Sequence, residues 1–239
     1  MDQGNKVMVR AVVTGANRGI GLEMCRQLLE RGDRVLAACR KPGRALELNR
    51  LAFEHPGHLH VLPLDLEKAA SVAEFAREAA ALTDAIDIAV NNAGVSPSGE
   101  AFGSLEQGNL MLAFATNAAG PMLLTQALTP LLERAGGARV MNVSSNLASM
   151  ALCDEFYTPS YCVSKAALSM VTRMSALALS PRGVTCFAVN PGWVKTDMGG
   201  PRAPLPVAES VASLLALLDR ADATLAGRFV ERDGSEVPW

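Results

Sequence analysis

Seven short apolar runs alternate with amphipathic stretches along the whole chain, and no repeat, low-complexity tract or Pro/Ser-rich linker interrupts them. Runs rich in β-branched and apolar residues at 7–14, 34–39, 59–64, 86–91, 138–144, 184–190 and 227–231 predict strands buried on both faces, as a parallel sheet requires. Between them, helical patterns cover about 19–31, 43–53, 68–82, 105–134, 160–180 and 207–219, and Gly32, Gly136 and Gly183 stand where a helix should stop. Repeated β–α alternation leaves one economical solution, a doubly wound seven-stranded parallel sheet of the α/β class in a single domain spanning 1–239. Ligands of such sheets sit beyond the carboxyl ends of the strands, where the strand order reverses. Chemistry-bearing motifs are therefore expected just after strands.

The composition narrows the partners. With 239 residues, 49% of them hydrophobic, the chain can bury a sizeable core. Its 22 basic and 24 acidic residues give a formal charge of −2, which provides none of the basic field that nucleic-acid binding needs. The polar start, residues 1–6, runs into an apolar stretch too short to span a membrane and without a signal-peptide cleavage pattern, so no membrane association and a cytoplasmic location are expected. Cys25, Cys39, Cys153, Cys162 and Cys186 are odd in number and widely spaced; they read as reduced thiols, and no metal site is predicted.

The first strand ends in Thr14-Gly15-Ala16-Asn17-Arg18-Gly19-Ile20-Gly21 and passes straight into a helix. Glycines there permit a tight turn and a close backbone approach, and they leave free amides at a helix N-terminus, the arrangement that binds a pyrophosphate. A second motif is Tyr161-Cys162-Val163-Ser164-Lys165, preceded by the pair Ser144-Ser145 at the end of the fifth strand. Residues four apart share one helix face, so the Tyr161 phenol and the Lys165 ammonium point into one site. A neighbouring cation favours a phenolate, so Lys165 is expected to lower the Tyr161 pKa and make it a proton-transfer group.

In their order and placement, the glycine turn, Asn91-Asn92-Ala93-Gly94, Ser145, Tyr161-x-x-x-Lys165 and Pro191-Gly192 resemble the short-chain dehydrogenase/reductase family over essentially the whole chain. The glycine turn is similar to that of NADPH-dependent carbonyl reductases. The stretch Pro191-Gly192-Trp193-Val194-Lys195-Thr196-Asp197-Met198-Gly199-Gly200 and the tail 233–239 look most like the sniffer and C-factor branch. The resemblance implies a Rossmann-like fold with a dinucleotide held by Gly15, Asn17, Arg18, Gly19, Ile20 and Gly21. It also implies that Asp65 and Leu66 hold the adenine, although Asp65 could instead cap the following helix. Asn91, Ala93 and Gly94 would border the adenosine ribose, with Asn91 more a clamp between strands than a catalytic group. Pro191, Gly192, Val194 and Thr196 would hold the nicotinamide end, and Lys165 the nicotinamide ribose.

The catalytic set implied is Ser145 polarising a carbonyl, Tyr161 donating a proton, Lys165 tuning it, and Asn117 distorting its helix and ordering a water in a proton relay. Ser145 is preferred over Ser144 and Ser149 because the family uses the second serine of such a pair. Its 16-residue separation from Tyr161 is longer than usual, and 151–156 reads as the small loop insertion that absorbs it. Tyr157, Phe156, Trp193 and Met198 are assigned to the pocket wall. The Gly- and Pro-containing segment 198–206 is too broken for a helical lid, so the pocket is expected to be open.

Dinucleotide folds that prefer NAD usually place a carboxylate at the end of strand two. Here that place reads Cys39-Arg40-Lys41, and Arg40 with Arg18 offers planar donors suited to a 2′-phosphate, so NADP(H) is the expected cofactor. The reading is an NADPH-dependent reductase of a small hydrophobic aldehyde, ketone or quinone. Two alternatives stay open: an NAD-dependent alcohol or steroid dehydrogenase, and a cofactor-binding regulator of the C-factor type with little turnover. A homodimer or homotetramer would pair through the long helices 105–134 and 160–180.

Overall fold

The structure, a computed structural model, describes residues 8–239. Its single sheet has seven parallel strands in the order β3-β2-β1-β4-β5-β6-β7. The strands are β1 (Arg10–Thr14), β2 (Arg34–Cys39), β3 (Leu59–Pro63), β4 (Ile88–Asn91), β5 (Arg139–Val143), β6 (Thr185–Asn190) and β7 (Phe229–Glu231). All seven expected strands are present, most trimmed at one or both ends; position 7 of the first lies outside the described residues. The order reverses between β1 and β4, which opens a crevice at their carboxyl ends.

Side chains alternate across each strand, so neighbouring residues feed opposite layers. Val13, Ala37, Met141 and Val189 pack on one face with Met24, Leu28, Leu48, Val211 and Leu214. These last come from α1 (Gly19–Glu30), α2 (Leu46–Glu54) and α7 (Val207–Arg220). Val12, Leu36, Val140 and Cys186 face the other layer, where they meet Phe75 of α3 (Ala69–Leu82), Leu124 and Leu128 of α5 (Gly120–Arg134), and Ala176 and Leu179 of α6 (Pro159–Leu179). Full burial of a side chain such as Phe75 stabilises by about 2–3 kcal/mol.

The expected helix over 105–134 is interrupted. It begins as α4 (Gln107–Phe114), widens into a π-helical turn at Ala115–Ala119 and continues as α5. The helix expected at 43–53 splits likewise into a 3₁₀ turn, Pro42–Arg44, and α2. Helix α6 has the length and mean hydropathy of a membrane span, but it lies against the sheet and buries Lys165, Ser164, Ser169 and Thr172. It reads as a core helix.

Candidate active site

The glycine turn is built by contact with the loop after β4. A Cβ on Gly15, which adopts φ +64°, would lie 2.9 Å from the Ala93 Cα, and one on Gly21 would clash with the Gly15 carbonyl oxygen. The Thr14 hydroxyl accepts from the amides of Asn92 and Ala93, each at 3.0 Å, while the Asn92 side chain donates to the Thr14 carbonyl at 2.8 Å. No side chain caps α1, so its first amides stay available to an anion. Across the crevice the Thr196 side chain packs over Gly19.

From this turn a continuous cleft of about 1480 Å³ runs to Ser145, Tyr161 and Lys165. It is lined by Gly15, Asn17, Arg18, Gly19, Ile20, Arg40, Asp65, Leu66, Ala93, Gly94, Ser145, Tyr161, Lys165, Pro191, Gly192, Val194 and Thr196. Gly21 and Asn91 do not line it. Gly21 serves the packing of the turn, and the Asn91 amide points into the sheet, donating to Thr125 Oγ1 at 3.2 Å and Asn142 Oδ1 at 2.8 Å. Asn91 is therefore a clamp between strands, and its side chain is turned away from the cleft. Asp65 does not cap α3, which starts at Ala69; its carboxylate accepts from the Glu67 amide and pairs with Lys68 at 3.0 Å. Burial works to raise its pKa, but Lys68 and the Glu67 amide outweigh it and hold the carboxyl below its ordinary value.

At the far end of β2, Arg40 faces Glu67 at 3.6 Å, and Arg18 bonds Asp197 at 3.0 Å. Both pairs are exposed, and such pairs stabilise by less than about 1 kcal/mol, so either arginine is free to exchange its carboxylate for a phosphate. Lys41 and Arg44 also line this end. Sequence reasoning missed Arg44; the signal available was a second basic residue one 3₁₀ turn beyond Arg40.

Lys165 is 3% exposed and donates from Nζ to the Val143 carbonyl at 2.6 Å. Burial depresses its pKa to about 8. Its Nζ lies 5.6 Å from the Tyr161 ring centroid. The Tyr161 pKa is not lowered as expected: burial pushes it up to about 12, against the opposing influence of the Ser145 hydroxyl. The phenol therefore holds its proton at neutral pH. Of the three candidate serines, Ser145 is the one whose hydroxyl acts on the Tyr161 phenol, favouring its ionised form; its Oγ accepts from the Leu147 amide at 3.2 Å. Ser149 is fully buried and accepts from Leu152, whereas Ser144 lines the cleft and its buried hydroxyl has no partner among the described residues.

Asn117 lies in the π-helical turn, as its placement in a distorted helix predicts. Three of its four hydrogen-bonding positions are used: Oδ1 accepts from Val95 N, and Nδ2 donates to Val95 O and Ser164 Oγ, all at 2.8 Å. Both of its donor hydrogens are thus committed, and one lone pair of Oδ1 is left. At the mouth, Tyr157, Trp193 and Met198 are each at least half exposed and line the cleft, which rules out core packing as their role. Residues 198–206 form turns without a helix, leaving the mouth open.

Comparison with known proteins bears on these groups. The family model described as short chain dehydrogenase matches residues 9–204. The C-signal protein of Myxococcus xanthus is 39% identical over 157 residues, 66% of this chain and 95% of that protein. Among solved structures, the NADPH-bound carbonyl reductase from chicken fatty liver has a TM-score of 0.91 at 33% identity, covering 98% of this chain and 100% of that one. The carbonyl reductase Sniffer of Drosophila melanogaster gives 0.93 at 30% identity, with 97% and 100% covered. The resemblance to the sniffer and C-factor branch is borne out.

Proposed function

The chain belongs to the short-chain dehydrogenase family, and from that premise we propose that it is an NADPH-dependent reductase of small hydrophobic aldehydes, ketones or quinones. The observation that carries this reading is the Ser145–Tyr161–Lys165 group at the end of a cleft whose other end is an uncapped helix and a cluster of basic side chains. The residues fit a nicotinamide dinucleotide phosphate: the glycine turn offers amides for the pyrophosphate, Arg40, Arg44 and Arg18 offer cations for a 2′-phosphate, and the unpartnered Ser144 hydroxyl borders the nicotinamide end. Bound there, the reduced cofactor supplies a hydride to the substrate carbonyl carbon.

As negative charge grows on the carbonyl oxygen, Ser145 donates a hydrogen bond to it and Tyr161 transfers its proton. An alkoxide is far more basic than a phenolate, so a phenol with a raised pKa still transfers readily. Lys165 acts on the phenolate that remains: at neutral pH it is mostly cationic, and its pKa of about 8 suits it to return a proton to Tyr161. Asn117 serves this step by bracing the π-helical turn against Val95 beside Lys165. The apolar rim at Tyr157, Trp193 and Met198 supports a hydrophobic substrate.

Exposed Met111, Phe114 and Met122 on the α4–α5 side, with Val163, Met170 and Met174 on α6, support pairing of two copies through the long helices. Five free thiols support a cytoplasmic location. The likeness to the C-signal protein favours a second reading, a regulator that binds cofactor with little turnover. A panel of aldehydes, ketones and quinones, assayed with NADPH and NADH separately, distinguishes the readings. NADPH consumption with at least one carbonyl is expected; tight NADPH binding without turnover would favour the regulator, and a preference for NADH would favour an NAD-dependent dehydrogenase.

A further inference from the structure

Helix α6 carries both Tyr161 and Lys165, so whatever fixes its first turn also fixes the proton donor. The helix is poorly equipped to do this itself. Thr158, at its N-cap, is held at φ 40°, ψ 57°, the only non-glycine residue with positive φ among the described residues, and its side chain makes no capping bond. Pro159 has no N–H to offer. Ser160, 1% exposed, is the first residue of the helix with an amide to satisfy. That amide donates to Glu100 Oε2 at 3.2 Å, and the Ser160 hydroxyl donates to Glu100 Oε1.

We propose that Glu100 is a positioning residue for Tyr161: it caps α6 from the loop between β4 and α4, doing what an N-cap side chain would ordinarily do. The chemistry suits the place, because a carboxylate at a helix N-terminus meets both orphan amides and the positive end of the helix dipole. The loop itself is anchored. Asn117 holds both backbone groups of Val95 at 2.8 Å, and Phe102, two residues beyond Glu100, stacks edge-to-face on Phe156 with ring centroids 5.6 Å apart. One segment, 95–102, therefore connects the π-helical turn to the start of the Tyr161 helix. Glu100 does not line the cleft, so it acts on the reaction only through Ser160 and the helix.

The inference rests on the reductase reading, and its test separates the two. Wild type, Glu100→Ala and Glu100→Gln are compared by steady-state kinetics with NADPH and a carbonyl that wild type reduces, by NADPH binding, and by amide hydrogen exchange of the peptide 159–165 without cofactor. Glu100→Ala is expected to lower kcat between tenfold and about a hundredfold with NADPH affinity within about twofold, as misplacement of a reacting group does. Glu100→Gln, which keeps an acceptor for Ser160, recovers most of that loss. Exchange in 159–165 should quicken in the alanine variant and stay near wild type in the glutamine variant. An unchanged kcat in Glu100→Ala would overturn the proposal, as would a kcat loss matched by an equal loss of NADPH binding, or a loss that glutamine does not rescue. If wild type reduces no carbonyl, the reductase reading falls, and exchange alone then decides whether Glu100 fixes this helix: equal rates in all three proteins would refute it.

Discussion

Replacing Lys165 by methionine should change the pH dependence of stability in a way that reports the buried ammonium directly. In the folded chain the Lys165 pKa is lowered from 10.5 to about 8 by burial. A cation with a depressed folded pKa destabilises the fold wherever it is protonated, fully below about pH 8, and the penalty disappears as pH rises through the unfolded value. The shift corresponds to about 3 kcal/mol. Integrating the two titrations, wild type carries nearly all of it at about pH 7 and about 2 kcal/mol at about pH 9, a relief of about 1 kcal/mol. Lys165→Met has no such group. The loss of the Nζ bond to the Val143 carbonyl adds an offset of about 1–3 kcal/mol, but that offset does not vary with pH. Tyr161, raised from 10.0 to about 12, lowers stability only above about pH 10, and the thiols, present in both chains, cancel in the difference. Urea unfolding of both proteins without cofactor, at several values from about pH 7 to about pH 9, measures the quantity. Wild type should gain on the variant by about 1 kcal/mol across that range. A stability difference that stays flat would refute a buried, titrating Lys165.

Two other substitutions test the assignment of the cleft. Arg40→Asp should cost NADPH about tenfold to a hundredfold in kcat/KM, the worth of a charge-assisted bond to phosphate, and shift preference toward NADH; an unchanged cofactor ratio would remove Arg40 from the 2′-phosphate site. Ser145→Ala should lower kcat by about a hundredfold, as loss of a donor to a developing oxyanion does. Ser144→Ala, which deletes a buried hydroxyl without a partner, should leave kcat within a few-fold and Tm undiminished. The reverse pattern would transfer the polarising role to Ser144.

Much of the architecture was legible because it is local or periodic. Buried parallel strands need continuous apolar runs, and the glycine turn and the Tyr161–Lys165 spacing each lie within one β–α unit. What escaped depends on contacts between distant segments. Glu100 meets Ser160 across 60 residues and Arg18 meets Asp197 across 179, pairings that no window of sequence reports. The direction of the Asn91 amide follows from which face of β4 it occupies, and the partners that draw it inward, Thr125 and Asn142, come from α5 and β5. The Tyr161 pKa was misjudged for a related reason. Helical spacing puts Lys165 beside the ring, but the environment that raises the phenol comes from the tertiary packing around it, and in the folded site that packing outweighs the influence of Ser145.

The central claim is that Tyr161 delivers the proton to a reduced carbonyl. Its most direct test is Tyr161→Phe, measured both for NADPH binding and for NADPH-dependent turnover of a carbonyl that wild type reduces. The account predicts NADPH affinity within about twofold of wild type and a fall in kcat of at least about a hundredfold, since the ring that lines the cleft is kept and the proton donor is lost. Turnover near the wild-type rate would contradict it.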